Sequence, residues 1–365
     1  MKSILILVSN DLQSDQRMQR IAYTLARNDW KVRMIGTLNK NSSEYIPEGY
    51  LIRRIPVRPG KGILFYLMMN MIFFYYALIA KESYIYSVDL DTLPAARLAT
   101  WLNRKKIIWD SHEIFTAMPE LYERPIVRSI WKALESIFAP GIIHVLTVTP
   151  GVASFLSETY HLKPFIVYNY PDIYPDHTDA RKKFDSRIVF FQGALNQGRG
   201  LHTLLETMKT LDDTYILQIA GVGPEESALK SWTIVNSLGH RVHFLGRLSP
   251  ADLKEKTQGV FIGISLLDDR HQNSMVSLAN KNLDYIMGGV PAITMDFPEY
   301  KKINDRWEVA ILLKESTPSA LQSAVHKLGG DFSIYQKMHE QCRLARQELN
   351  WENESARLIE YFKTI

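Results

Sequence analysis

Short apolar runs alternate with longer amphipathic segments along the chain. In the first half, the runs predict β-strands at 3–8, 32–35, 52–57, 84–88, 107–109, 142–148 and 165–167. In the second half, they predict a strand that begins at 187 and further strands at 215–220, 242–245, 260–264, 292–295 and 309–312. This alternation is typical of α/β domains with parallel sheets, and 365 residues suffice for two of them. We therefore predict domains at 1–170 and 171–349, with the charged, proline-containing stretch 169–185 as linker.

One apolar segment, 62–80, has no charged residue over nineteen positions. As a helix it would be about 28 Å long, which approaches the length of a membrane span. A span would place strands of one predicted sheet on opposite sides of a bilayer, which argues against it. A buried crossover helix is favoured, followed by an interfacial helix with Tyr66, Phe73, Phe74, Tyr75 and Tyr76 facing a membrane. A true span is favoured least.

Composition narrows the class of protein. Apolar residues make up 46% and charged residues 22%, as in ordinary globular proteins. The net charge of +4 is too small to predict nucleic-acid binding. A single cysteine, Cys342, excludes internal disulfides and favours a reducing compartment, and the first residues do not resemble a secretory signal. We therefore expect a cytoplasmic protein.

The segment 266–296 carries the most specific chemistry. Lys281 and Asp284 are three residues apart, so they share one face of a predicted helix. Ser277 is predicted to cap the amino end of that helix, where free backbone N–H groups and Lys281 together favour a phosphate. The carboxylate of Asp284 suits sugar hydroxyls. This pattern predicts a nucleotide site.

Other candidate residues follow the ends of predicted strands, where open α/β sheets bind ligands. Arg199 follows a strand and a glycine-rich loop, and its guanidinium suits phosphate oxygens. The glycines of that loop do not match the dinucleotide-binding fingerprint, which argues against redox chemistry. No His/Cys cluster has zinc spacing. In the first domain, the polar residues at strand ends are Asn10, Asp11, Asp89, Asp91, His112 and Glu113.

Several motifs together resemble the retaining GT-B glycosyltransferases of family 4, the glycosyl transferases group 1. The motifs are the segment 280–286 followed by Gly-Val-Pro, the Asp15–Arg17 pair with Ser14 before it, the segments 110–113, 119–120, 193–200 and 243–248. The resemblance implies two Rossmann-like domains with parallel sheets facing a central cleft. It also implies that the terminal segment 350–365, with a helix at 351–363, crosses back to the first domain.

The resemblance further implies that a sugar passes from a nucleoside diphosphate sugar to an acceptor hydroxyl with retention. Arg199 and Lys281 would stabilise the diphosphate and His112 the donor sugar, without a metal or other cofactor. Further donor-binding residues would be Gly193, Leu245, Gly246, Ser277 and Asp284, and the acceptor-side residues Asn10, Asp11, Asp15, Asp89, Asp91 and Glu113. Arg17 is expected to orient its loop. The Asp89-Leu90-Asp91 pattern resembles a metal-binding motif of another glycosyltransferase fold, but a helix cap or acceptor contact is favoured.

One departure from the family pattern leaves alternatives open. The family has two glutamates separated by seven residues, and this chain has Val276 at the first position and the shorter Asp284 at the second. A subfamily variant is favoured over a catalytically inactive nucleotide-binding scaffold, and a sugar-nucleotide epimerase of the same fold is the other alternative. The expected partners are a nucleotide sugar and a saccharide or lipid-linked acceptor, with possible membrane contact through 62–80 at the inner face of the membrane.

Overall fold

The computed structural model describes residues 2–13, 15–38, 42, 44–175 and 178–365. Ser14 of the first motif and Asp176 and His177 of the predicted linker lie outside the described residues. The chain forms two compact units: Met1–Asn169 together with Glu354–Ile365, and Tyr170–Asn353. The second unit thus begins one residue before the predicted boundary, and it includes the first residues of the terminal segment.

The first unit contains a seven-stranded parallel sheet in the order β3-β2-β1-β4-β5-β6-β7. Its strands are β1 (Ser3–Leu7), β2 (Lys31–Leu38), β3 (Leu51–Pro56), β4 (Tyr84–Val88), β5 (Lys106–Ser111), β6 (His144–Thr147) and β7 (Phe165–Ile166). Its helices are α1 (Gln16–Ala26), α2 (Ile63–Leu78), α3 (Asp89–Asn103), α4 (Pro119–Tyr122), α5 (Pro125–Phe138) and α6 (Pro150–Tyr160).

The second unit contains a six-stranded parallel sheet in the order β10-β9-β8-β11-β12-β13. Its strands are β8 (Ile188–Gln192), β9 (Ile216–Ala220), β10 (Val242–Gly246), β11 (Ile262–Ser265), β12 (Ala292–Met295) and β13 (Ala310–Leu313). Its helices are α7 (Ala180–Ser186), α8 (Leu201–Met208), α9 (Glu226–Val235), α10 (Pro250–Gln258), α11 (Gln272–Val276), α12 (Asn280–Met287), α13 (Pro298–Arg306), α14 (Pro318–Gly330) and α15 (Phe332–Ala345). A further helix, α16 (Trp351–Lys363), begins in the second unit and belongs to the first from Glu354 onward.

The predicted α/β architecture is confirmed, because every predicted strand is present within a few residues of its predicted position. The central strands are buried on both faces, as parallel sheets covered by helices require: Ile4, Leu5, Ile6 and Leu7 of β1 are all fully buried. In each sheet the strand order reverses once, next to β1 and β4 in the first unit and next to β8 and β11 in the second. Ligands bind outside the carboxyl ends of strands at such switch points.

The stretch predicted as a linker, 169–185, contains the start of α7, where Asp179 accepts a hydrogen bond from the Lys182 N–H at 2.9 Å. The apolar segment forms α2, whose Phe73 is fully buried, so the expectation that Phe73 faces outward is wrong. Within the part of the chain that the structure describes, none of the helices combines the length and apolarity needed to cross a bilayer.

Candidate functional site

The amino end of α12 holds a buried lysine whose Nζ makes no hydrogen bond within the described part of the chain. Lys281 is the second residue of this helix and only 7% exposed. Its Nζ lies 3.8 Å from the centre of the Phe191 ring and makes no hydrogen bond to any described residue. Burial, and secondarily the positive charge of Arg199, hold the pKa of Lys281 well below its usual value. An anion bound here would relieve both effects, since it would supply the missing partner.

Arg199 lies in the loop between β8 and α8, close enough to Lys281 to repel it electrostatically. The loop is tied to the segment that follows β11, because the Asp268 N–H donates to the Gly198 carbonyl at 2.9 Å. Gly200 next to it has φ of +67°, and a Cβ there would lie 2.4 Å from the Cβ of Leu266, so no larger residue fits. Arg199 also lines a cavity of about 530 Å³ within the second unit. The predicted phosphate ligands Arg199 and Lys281 are therefore brought together at the switch point between β8 and β11.

The carboxylate of Asp284 is held by a neutral side chain. Gln192, the last residue of β8, donates from Nε2 to the Asp284 Oδ2 at 2.6 Å. Its Oε1 in turn accepts from the Thr257 hydroxyl at 3.1 Å. Because Gly193 follows Gln192 directly, Asp284 is fixed beside the loop that carries Arg199.

The loops after β8, β9 and β10 are joined by backbone hydrogen bonds. The Gly193 N–H donates to the Ala220 carbonyl at 2.9 Å, and the Gly221 N–H donates to the Gly246 carbonyl at 2.7 Å. A Cβ at Gly221 would lie 1.8 Å from the Gly193 carbonyl oxygen, so this approach requires glycine. A Cβ at Gly193 would lie 3.7 Å from Lys281 Nζ. Gly193 therefore adjoins the cation, whereas Gly246, and Leu245 before it, lie on β10, which β9 separates from β8.

The predicted capping role of Ser277 is wrong. The cap of α12 is Ala279, whose side chain has no acceptor, and the Ala279 N–H donates to the Tyr300 hydroxyl at 2.9 Å. Ser277 instead ends α11 and donates to the Ser274 carbonyl at 2.9 Å. Tyr300 of α13 thus accepts from the N–H of the cap residue itself, and the cap has no side-chain hydrogen bond.

In the first unit, the strand ends contain a buried ionic network around Asp110, the carboxylate near the end of β5. Arg17 donates to it from Nη2 at 2.9 Å and from Nε at 3.2 Å, and the Tyr86 hydroxyl donates at 2.7 Å. His112 Nε2 lies 3.1 Å from the same carboxylate. Burial alone would raise the pKa of Asp110, but Arg17 and His112 outweigh it and hold this pKa well below its usual range.

His112 lies between two carboxylates. Its Nδ1 is 3.4 Å from Asp89 Oδ2, and its backbone N–H donates to Asp89 Oδ1 at 2.8 Å. Burial opposes the charged imidazolium, but Asp89 and Asp110 outweigh it and raise the pKa of His112 to about 9. The ring is therefore protonated at neutral pH, and as an imidazolium it donates from both nitrogens.

Asp89 and Asp91 begin α3 at the end of β4. Asp89 has φ of +56°, an uncommon conformation for a residue with a side chain. Asp91 is buried, and its Oδ1 has no hydrogen-bond partner among the described residues. Burial, with the charge of Asp89, raises the pKa of Asp91 to about 7. The described residues contain no group of three or more His, Cys, Asp or Glu side chains arranged to hold a metal ion.

The remaining acceptor-side candidates have local structural contacts. Asp15 caps α1 by accepting from the Met18 N–H at 3.0 Å, and Asn10 donates to Asp15 at 2.7 Å. Asp11 accepts from the Ser42 hydroxyl at 3.3 Å. The Glu113 backbone carbonyl accepts from the Ser111 hydroxyl at 3.1 Å. The structure gathers all of these residues at the carboxyl edge of the first sheet.

Sequence reasoning did not identify four residues that shape the two sites: Phe191 beneath Lys281, Gln192 beside Asp284, and Asp110 and Tyr86 in the first unit. Gln192 and Asp110 each stand at the polar end of a buried strand, which is a usable signal. Phe191 and Tyr86 lie within apolar runs, and no sequence pattern separates them from ordinary core residues.

Known proteins resemble this chain in sequence and in structure. A D-rhamnosyltransferase from Pseudomonas aeruginosa, WbpZ, is 25% identical over 226 residues, which are 59% of this chain and 57% of that relative. The structure of sucrose-phosphate synthase from Thermosynechococcus elongatus matches with a TM-score of 0.83 and 15% identity, over 100% of this chain and 99% of that one. HepE from Anabaena, solved in complex with UDP and glucose, matches with a TM-score of 0.77 and 14% identity, over 100% of both chains. At these identities the two structures establish the fold, which is GT-B.

The family comparison covers the unit that holds Arg199 and Lys281. The sequence profile described as Glycosyl transferases group 1 matches residues 175–344. This range includes the whole of the glycine-rich loop, α12 and the strands that flank them. Residues 175–344 form a glycosyl transferases group 1 domain.

Proposed function

We propose that the protein transfers a sugar from a nucleoside diphosphate sugar to an acceptor hydroxyl, with retention at the anomeric carbon. The observation that carries the proposal is the pair of cations at the switch point of the second sheet. Lys281 is buried beside Arg199 within a glycosyl transferases group 1 domain, and its Nζ has no hydrogen-bond partner among the described residues. A diphosphate supplies the negative charge that this pair lacks.

The roles that we propose for these residues follow from where negative charge develops during sugar transfer. When the glycosidic bond of the donor breaks, negative charge grows on the diphosphate, and Arg199 and Lys281 stabilise it. Asp284, held by Gln192, accepts hydrogen bonds from the ribose hydroxyls. We assign contact with the donor sugar to His112. Contact with the acceptor hydroxyl is assigned to Asp91, whose Oδ1 has no hydrogen-bond partner among the described residues. In this scheme no metal ion is needed, because the two cations take the role that a divalent metal would otherwise have.

For the donor, we propose a UDP- or GDP-linked hexose, with UDP tested first because HepE was solved with UDP and glucose. For the process, we propose cell-surface polysaccharide or glycolipid synthesis at the cytoplasmic face of a membrane. The D-rhamnosyltransferase relative supports transfer of a sugar of hexose type.

Two other functions make different predictions. A sugar-nucleotide epimerase would convert its substrate without any acceptor. A nucleotide-binding scaffold, motivated by Val276 in place of the first family glutamate, would bind nucleotide without turnover. Product analysis of a nucleotide sugar with and without an acceptor distinguishes all three functions.

Thermal unfolding with a panel of nucleotides tests the site first. A ligand at 100 times its Kd stabilises the fold by about 2.7 kcal/mol, so UDP and GDP can be ranked directly. Transfer assays then follow with the better nucleotide as sugar donor. We expect transfer to survive excess EDTA, and activity that is lost on chelation and restored by Mg²⁺ or Mn²⁺ would instead assign a metal to Asp89 and Asp91.

A further inference from the structure

We infer that the first unit binds an anionic lipid bilayer through the solvent-facing sides of α2, α3 and α5. We call this the apolar helix surface, represented by Leu64, Leu67, Met71 and Tyr75 of α2, Leu102 of α3 and Ile130 of α5, all exposed. The surface is wider than the segment 62–80, and Tyr75 is the one exposed side chain among the aromatic residues that the sequence places toward a membrane.

The helix α2 buries only a narrow stripe. Met69, Phe73 and Ala77 are its buried residues, and they recur every four positions on one side. Leu64, Leu67, Met71 and Tyr75 recur at helical spacing on another side and are exposed. A soluble helix ordinarily carries polar residues on that side, and this helix has no charged residue. The exposed side therefore requires a partner that is itself apolar.

Neighbouring helices extend the same surface. The connections from β3 to β4, β4 to β5 and β5 to β6 all run in one direction along the sheet, so right-handed crossovers place α2, α3 and α5 on one face of it. Ring contacts join them: Tyr66 and Trp131 are 5.1 Å apart, and Trp101 and Phe138 are 5.7 Å apart. Among the described residues, 19 exposed large apolar side chains lie in the first unit and 6 in the second. Exposed large apolar side chains are therefore concentrated in the first unit.

The charges around the apolar helix surface indicate what kind of partner binds it. Residues 51–108, which contain α2 and α3, carry nine Lys and Arg against three Asp and Glu. Of the three carboxylates, Glu82 is bound by Arg33 at 2.7 Å, and Asp89 and Asp91 begin α3 at the sheet edge. Lys61 and Lys81 flank α2, and both are exposed. An apolar surface with a cationic rim matches the interface of a bilayer with anionic headgroups.

The same charge pattern argues against a second copy of the chain as partner. A twofold interface would place each cationic rim against its own copy, and like charges that face each other are destabilising. A bilayer instead neutralises the rim and covers the apolar side chains together.

The surface also lies next to a proposed substrate site. Asn70 of α2 donates from Nδ2 to the Asp91 carbonyl at 2.8 Å, and its Oδ1 accepts from the Ala95 N–H at 3.1 Å. Bilayer contact through α2 thus places the Asp91 edge close to the headgroups, which fits a lipid-linked acceptor. The acceptor class rests on the proposed function, whereas bilayer binding does not.

Vesicle flotation without any nucleotide sugar tests the inference. The full chain is mixed with phosphatidylcholine vesicles or with vesicles that also contain phosphatidylglycerol, at low and high salt. We expect flotation with the anionic vesicles and release at high salt, because screening weakens attraction to the headgroups. Absence of flotation on anionic vesicles at low salt overturns the inference.

Matched variants locate the surface. Leu67→Ser with Met71→Ser should weaken flotation at least tenfold, whereas Ile234→Ser with Val235→Ser, at exposed positions of the second unit, should not change it. Lys61→Glu with Lys81→Glu should weaken it by about fivefold per charge, while Lys314→Glu with Lys327→Glu is the control. Phe73 is buried and is not used, since its replacement would disturb the core. Unchanged thermal unfolding of each variant shows that it is folded.

Three results contradict the inference: equal losses in test and control variants, no loss in the test variants, or a dimer of the wild type that Leu67→Ser with Met71→Ser dissociates. Failure of transfer in donor-site variants leaves flotation unaffected. The membrane inference and the proposed activity therefore fail separately.

Discussion

Both units have ionic side chains at the carboxyl edge of their sheets. The two units differ in whether a partner of opposite charge lies beside these side chains. In the first unit, Arg17, Asp110 and His112 form a closed network in which each charge faces an opposite charge. In the second unit, Lys281 is buried about as deeply as Arg17 but has no hydrogen-bond partner among the residues that the structure describes, and its neighbouring charge, Arg199, has the same sign. A closed network is complete without a ligand, whereas an uncompensated cation is not.

This difference distinguishes residues that position other side chains from residues that bind a ligand. Arg17 and Asp110 fix His112 and the end of β5, so their removal should chiefly affect stability. Lys281 and Arg199 hold charge that only a ligand compensates, so their removal should chiefly affect function. Substitutions in the two units therefore give opposite results, which makes the comparison testable.

The largest expected effect concerns Arg17→Met. The substitution leaves Asp110 buried beside His112 without its main cation, and breaking a buried pair in this way costs about 3–5 kcal/mol. Chemical denaturation measures this free energy of unfolding. Arg181→Met is the matched control, because Arg181 binds Asp185 at the same 2.9 Å on the surface of α7, where such a pair contributes at most about 1 kcal/mol. Equal losses in both variants would remove the distinction between the two kinds of ion pair.

The next effect concerns the second unit. Lys281→Met and Arg199→Ala should each lower the rate of transfer by about 100-fold or more, because each removes stabilisation of the developing diphosphate charge. Lys281→Met should also raise the unfolding temperature of the ligand-free protein, since it removes a buried amine that hydrogen-bonds to none of the described residues.

The exposed cation Arg270 provides the control for this pair. It binds Asp268 near the same cavity, and Arg270→Ala should change transfer much less than Arg199→Ala. If Lys281→Met destabilises the ligand-free protein as Arg17→Met does, Lys281 has a structural partner and the proposed phosphate site is incorrect.

The third effect is a pH dependence in the first unit. The folded pKa of His112, about 9, is higher than its ordinary value of 6.5. Its protonated form therefore stabilises the fold below pH 6.5, and this stabilisation is lost as the pH rises through 9. We expect a decrease of about 2 kcal/mol in unfolding free energy between pH 7 and 9 that is absent in His112→Asn. His202→Asn, at an exposed position of α8, should keep the wild-type slope.

Sequence reasoning predicted the strands well and the contacts less well, for physical reasons. Strands such as β1 and β12 are continuous apolar runs with clear ends, so burial fixes them locally. The cap of α12 depends on Tyr300, which is distant in sequence, so the nearby Ser277 was assigned instead. The apolar segment 62–80 shows that hydrophobicity predicts a helix but not which side is buried, since α2 has no polar face.

The smallest expected effect compares two carboxylates. Asp110 is bound by a cation and a phenol, whereas the neutral amide of Gln192 donates to Asp284. We expect the wild type to bind its preferred nucleotide about tenfold more tightly than the 2′- or 3′-deoxy form, as the loss of one hydrogen bond to a charged group implies. Asp284→Ala should abolish this preference, and Gln192→Met should reduce it because the carboxylate loses the hydrogen bond that fixes it. Calorimetric titration measures the affinity of each variant for the nucleotide and for its deoxy forms. Thr257→Val is the mildest variant, because it removes the hydrogen bonds of the Thr257 hydroxyl to Gln192 Oε1 and to the Leu253 carbonyl. If Asp284→Ala still prefers the nucleotide to its deoxy form, the carboxylate does not bind the ribose hydroxyls and instead stabilises α12.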